Sequence, residues 1–215
     1  MKRILFFGLL VCLFSGCHGI GPGIAGSGIS HTEFRQVPQF DEIELDGFGT
    51  VNIIAGEHQS VHVTTDDNLL ARIETRVDDG KLTINPMKNI RPQTELVIDV
   101  TVPQLTAARV SGAGDINVDG VYGEDLDLSI SGSGDLRAQG QVANVSTKIS
   151  GAGSADLQQL AAENAKVKIS GAGHVDVFAS RSIDARVSGV GTVDCYGNPT
   201  DVQQRVSGVG RVRLH

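Results

Sequence analysis

A short phrase, Ser-Gly-small-Gly, returns six times in this chain, beginning at Ser111, Ser131, Ser150, Ser170, Ser188 and Ser207. The steps between them are 20, 19, 20, 18 and 19 residues. A period near 20 with strand-like flanks marks coils stacked along one axis. A unit of ~20 residues is too short for a βαβ crossover, which needs about 30. It suits one coil of a parallel β-helix, with neighbouring coils about 4.8 Å apart.

Counted from each repeat Ser, three positions are always apolar. Position −1 is Val110, Ile130, Ile149, Ile169, Val187, Val206; position +5 is Ile116, Leu136, Ala155, Val175, Val193, Val212; position +7 is Val118, Ala138, Leu157, Val177, Cys195, Leu214. Positions +5 and +7 fall on one face of a strand and +6 on the other. Each repeat therefore reads as strand, glycine corner, strand, return turn. The paired glycines suit corners that need positive φ or close backbone approach. The expected fold is all-β: a right-handed parallel β-helix with coils of about 20 residues.

A calcium-binding roll is the rival for this phrase, because Gly-x-Gly-Asp occurs at 112–115 and 132–135. It fails on period and on ligands. The aspartate slot continues as Ser154, His174, Thr192 and Arg211, which is no ladder of oxygen donors.

The chain opens Met1-Lys2-Arg3, runs apolar from Ile4 to Phe14, and reaches Ser15-Gly16-Cys17. That is a charged start, an apolar run too short to span a bilayer, and a small-residue cleavage site. The segment is similar to a bacterial lipoprotein signal, which implies a signal peptide over 1–16 and lipid on Cys17. His18 in place of Asp leans toward the outer membrane. Residues 17–33 are rich in glycine and read as a tether of about 22 Å average reach. Without Lys2 and Arg3, 16 basic stand against 25 acidic residues, a mature net charge of −9. That balance argues against nucleic acid as partner. Cys12 and Cys17 belong to the signal and anchor, so Cys195 has no disulfide partner; its core position reads as a buried hydrophobe.

Residues 34–108 alternate differently. Apolar alternation at Ile43–Leu45, Val51–Ile53, Val61–Val63, Leu82–Ile84 and Leu96–Val102 is separated by turn signals such as Asp78-Asp79-Gly80. One helical turn is expected near Leu69, Leu70 and Ile73. This half reads as β-rich and as a cap on the open end of the repeats at 109–215, because a stack of coils otherwise exposes an unpaired edge. At the far end Arg211, Arg213 and His215 place charge on the last strand.

Specific phrases here carry a family likeness. They are Phe40-Asp41-Glu42-Ile43, Val51-Asn52-Ile53 with Gly56, Val61-His62-Val63, Asn68-Leu69-Leu70, Asp79-Gly80-Lys81-Leu82-Thr83-Ile84 and Val102-Pro103-Gln104-Leu105, followed by the Ser-Gly-x-Gly repeats. Together, over about 36–214, they resemble the head GIN domain, a bacterial envelope family described as an auto-transporter adhesin. The resemblance implies a surface interaction role, no catalytic residues and no cofactor.

Sites of chemistry are sparse. His58 and His62 fall on one face of an expected strand without a third ligand nearby, so no metal is expected. Asp156, Asp176 and Asp194 occupy the outward +6 position of successive coils, as stacked carboxylates do in polysaccharide-cleaving β-helices. The chain has no Trp and only Tyr122 and Tyr196, which is poor in sugar platforms. The outward −2 position is more distinctive: Arg109, Ser129, Lys148, Lys168, Arg186, Arg205. Five of six are basic in an acidic protein. As a solvated face their stems would cover the strand; as a binding track they would match a linear anionic glycan. The expected protein is a non-catalytic, lipid-anchored envelope module that contacts the membrane through its lipid and binds an anionic glycan or a partner protein; the alternatives are a β-helical polysaccharide-active enzyme and a purely structural envelope component.

Overall fold

The computed structural model describes residues 23–215. Cys17 and the signal segment lie outside the described residues. The described chain is all β apart from one 3-10 turn, Leu70–Arg72. The turn falls where the spacing of Leu69, Leu70 and Ile73 predicts one, and all three are buried.

From residue 23 on, the stretch expected as a tether is built into the fold instead. β1 (Ile24–Ala25) pairs in parallel with Ile90–Arg91, and β2 (Ser30–Phe34) pairs antiparallel with Ser60–Asp66. Asp66 explains this. It is fully buried, and its carboxylate accepts N–H bonds from Gly28, Gln93 and Thr94 at 2.7, 2.8 and 3.1 Å. Composition reveals the flexibility of a glycine-rich stretch but not a distant carboxylate that captures its amides.

β3 (Glu42–Ala55) buries Ile43, Leu45, Val51 and Ile53 by simple alternation. After β4 (Ser60–Asp66) and the 3-10 turn, β5 (Ile73–Asp78) and β6 (Lys81–Pro86) form a hairpin. Its two-residue turn is Asp79-Gly80, with φ of 48° and 78°. Two consecutive positive φ values define the turn type that matches strand twist, which is why Asp-Gly stands there. β7 (Ile90–Arg91) is short. β8 (Val97–Val102) runs parallel to β3 and antiparallel to β4.

The repeats occupy long bent strands: β9 (Ala107–Gly132), β10 (Asp135–Ile149), β11 (Ala152–Tyr196), β12 (Asp201–Gly208) and β13 (Arg211–Leu214). Successive repeats pair in parallel and in step with the phrase. Ile149 faces Ile130 on one side and Ile169 on the other, and Val187 faces Val206. One sheet of eleven strands results, parallel through the repeats and antiparallel at its N-terminal end, where β2, β4 and β8, and separately β5 and β6, add on. The sheet is thus mixed rather than parallel throughout.

One layer of the stack was not apparent from the repeat. Asp46-Gly47-Phe48-Gly49 in β3 lies beside Ser111-Gly112-Ala113-Gly114, residue for residue. It is a variant of the phrase with Asp for Ser. A 65-residue gap, from Asp46 to Ser111, hides it from a search at period 20. That gap holds strands β4 to β8.

The interior is a set of apolar ladders. The −1, +5 and +7 side chains of the first five repeats are all buried, including Cys195. In the sixth, Val206 and Leu214 are 45% and 51% exposed and Val212 is half-buried, because no layer among the described residues covers them. Ladder burial at roughly 25 cal/mol per Å2 of apolar surface is the main stabilising term.

Candidate functional site

Positions −1, −3 and −5 point inward, so −2, −4 and −6 share one outward face. Parallel register turns each position into a column. The −6 column is a hydrogen-bonded ladder. Asn144 Nδ2 donates to Asp125 Oδ1, Asn164 Nδ2 to Asn144 Oδ1, and Ser182 Oγ to Asn164 Oδ1, each at 2.8 Å. Each side chain is pinned by the next layer, which lowers the entropy a ligand would have to remove. The −4 column beside it mixes signs, with Asp127, Lys166 and Asp184. A shallow groove of about 450 Å3 runs over these two columns. The recurring Asp, Asn, Asn, Ser at a fixed offset is the sequence signal of this ladder.

The basic −2 column borders the groove. Ser129, Lys148 and Lys168 lie side by side, as do Arg186 and Arg205. Its members are not equivalent. Arg109 is half-buried and bonds Glu42 through Nη1 at 2.5 Å. Arg186 is gripped by both oxygens of Asp184, at 3.2 and 2.8 Å. Among the described residues, Lys148, Lys168 and Arg205 make no ion pair, and all three are exposed. Like charges one layer apart repel by ~0.9 kcal/mol in water, which long stems relieve by splaying.

The second outward face carries positions +4, +6 and +8. Here Asp176 and Asp194, two members of the expected carboxylate trio with Asp156, are drawn into a cluster with histidine and arginine. His174 Nε2 lies 3.0 Å from Asp176 Oδ2, and its Nδ1 lies 4.0 Å from Asp194 Oδ2. His215 Nε2 lies 2.9 Å from Asp194 Oδ1, and Arg213 Nη1 lies 3.6 Å from the same oxygen. Tyr196 stacks on His215 with ring centres 4.8 Å apart. Asp194 is thereby 5% exposed although it points away from the core. Burial pushes its carboxyl up, but the His215 hydrogen bond and the charges of Arg213 and the two histidines prevail and hold it below the usual range. Burial and the neighbouring Asp176 and Asp194 push the Tyr196 phenol up.

Other expectations resolve simply. His58 is not in a strand; it lies exposed in the bend between β3 and β4. His62 stands in β4 and packs on Phe34, with ring centres 5.4 Å apart. Cys195 is fully buried, and burial pushes its thiol up to about 11, so it is no nucleophile.

The family model described as "Putative auto-transporter adhesin, head GIN domain" matches residues 39–199, which spans β3 through the fifth repeat. The chain belongs to this family. The head GIN domain here also has solved structural counterparts. A "putative adhesin" from Bacteroides fragilis NCTC 9343 superposes with a TM-score of 0.75 at 23% identity, over 90% of this chain and 100% of that one. A "putative adhesin" from Parabacteroides distasonis ATCC 8503 gives 0.59 at 23% identity, over 89% and 99%. A "putative lipid binding protein" from the same organism gives 0.51 at 21% identity, again over 89% and 99%. At these identities the likeness concerns the fold alone. No curated protein matches the chain.

Proposed function

We propose that this head GIN domain is a non-catalytic binding module of the bacterial envelope, anchored by lipid on Cys17, whose −2 column engages a linear anionic glycan. The repeats make a right-handed parallel β-helix in this reading. The layer-by-layer parallel pairing supports the helix, and the handedness follows from the rule for parallel crossovers. The family's description as an adhesin supports the surface role.

The observation that carries the binding site is the register of Lys148 beside Lys168, with Arg205 further along, all exposed and without ion pairs among the described residues. A ligand with anionic groups repeating along its length meets them as a series. Several weak contacts on one rigid frame then add without a deep pocket. The amide ladder alongside offers fixed donors and acceptors to neutral hydroxyls of the same chain.

The test is a charge-reversal series, Lys148→Glu, Lys168→Glu and Arg205→Glu, titrated against polygalacturonate, alginate and lipopolysaccharide at low salt. Binding should weaken with each reversal at unchanged melting temperature. It should also fade as salt rises, because exposed charges are screened within about 8–10 Å at physiological ionic strength. Absence of binding at low salt, or indifference to all three reversals, overturns the assignment. The anchor is tested separately: Cys17→Ser should move the protein from the membrane to the soluble fraction, and unchanged fractionation without acyl label refutes it.

A further inference from the structure

We propose that His174, Asp176, Asp194 and His215 form a binding site for one divalent transition-metal ion, of the zinc, cobalt or nickel type. The four side chains come from three successive layers of the stack. His174 and Asp176 belong to the fourth repeat, Asp194 to the fifth and His215 to the sixth. Ligand atoms of His174, Asp176 and Asp194 all lie within 4.8 Å of one another. Bonds of ~2.0–2.2 Å place two ligands of one ion at most about 4.4 Å apart. Small rotations of two partly exposed side chains, His174 and Asp176, close that gap. His215 already touches the other oxygen of Asp194, at 2.9 Å.

Two imidazoles and two carboxylates are a borderline donor set, suited to zinc, cobalt and nickel rather than to calcium. The frame is rigid, since all four backbones belong to or directly follow sheet strands. His215 amide donates to the Cys195 carbonyl at 2.8 Å, which fixes the terminal ligand in the ladder. Tyr196 stacked on His215 limits that ring's rotation. Asp194 is desolvated and ionised, the state a metal ligand needs. His174 and His215, both partly exposed, form the route of entry. Arg213 opposes the ion, standing 3.6 Å from Asp194, but its side chain is 47% exposed and can swing away. The site is therefore of modest affinity.

Its consequence is mechanical. The strand after the sixth phrase is held by a short ladder: β13 pairs with β11 over four residues, against eight for β12, and Leu214 is half exposed. An ion shared by the fourth, fifth and sixth repeats ties that last layer down.

The test is titration of the full-length mature protein with Zn2+ and Co2+ at pH 7.5 in a non-chelating buffer, by calorimetry and cobalt absorption. One ion per chain is expected. His174→Ala and Asp176→Asn, both at partly exposed positions and so compatible with folding, should each weaken binding at least tenfold. His58→Ala with His62→Ala should leave it unchanged, and Arg213→Ala should tighten it. Bound Zn2+ should slow hydrogen exchange at 212–215. No binding at 1 mM metal, or binding undiminished in both His174→Ala and Asp176→Asn, overturns the site.

Discussion

The carbonyl oxygen of Gly112 occupies the place a β-carbon on Gly132 would need: the two would be 2.0 Å apart. The same relationship recurs up the stack, with Gly151 against the Gly132 carbonyl and Gly171 against that of Gly151, at 2.2 and 2.3 Å. Gly132 also has φ of 148°, which L side chains avoid. Two independent constraints thus fall on the first glycine of each phrase. Backbone meets backbone, so no side chain can yield.

Gly132→Ala should therefore destabilise far beyond the ~1 kcal/mol of an average substitution, and should lower the yield of folded protein. Gly123→Ala is the control. A β-carbon there meets nothing within 4 Å and φ is not positive. It should be neutral or stabilise by up to about 1 kcal/mol through the unfolded state. Denaturant midpoints of the two variants measure the contrast, and similar midpoints would refute this account of the repeat.

That contrast also explains what was legible in the sequence. The phrase, its period and its apolar offsets specify backbone constraints and inward faces, so the register Ile130, Ile149, Ile169 and the burial of Cys195 could be read directly. The first layer could not, because Asp46-Gly47-Phe48-Gly49 sits outside the period. Outward chemistry was legible by column only. By offset alone, His174 falls in the broken calcium slot, Asp176 and Asp194 in one outward column with Asp156, and His215 on the charged last strand. They meet because +4 and +6 of one layer adjoin +6 and +8 of later ones, a diagonal that no single offset displays. The Asp66 anchor was invisible for another reason: its partners lie 38, 27 and 28 residues away in sequence.

Thr147 is an inward residue at −3, between Leu128 and Val167 in register, and 3% exposed. Its hydroxyl finds no hydrogen-bond partner. A buried hydroxyl without a partner costs about 1–3 kcal/mol by mutational measures. Val has the same shape without that penalty. Thr147→Val should raise stability by roughly 1 kcal/mol, or about 2–4 °C in melting temperature for a domain of this size. Thr147→Ser, which keeps the hydroxyl and loses the methyl, should lower it. A Val variant less stable than the parent would mean that the hydroxyl is satisfied in solution.

Asp66 makes the fold's N-terminal attachment depend on pH. Burial alone pushes its carboxyl up, but the N–H donors of Thr94, Gly28 and Gln93 favour the charged form more strongly, so the group titrates below the ordinary 3.8. A carboxyl depressed in the folded state contributes stability that is fully present above its unfolded value and lost as pH falls through the folded one. The contribution should thus be constant from neutrality down to about pH 4 and should decay below that. Asp66→Asn removes it at every pH, since the amide nitrogen cannot accept from these donors. The melting temperature gap between parent and Asp66→Asn should be wide at pH 7 and should narrow toward pH 3. Protease should cleave near Gly26–Gly28 faster in the variant, because β1 and β2 lose their anchor while the repeats stay paired. A gap that does not change between pH 7 and pH 3 would show that the carboxylate's charge is not what holds this segment.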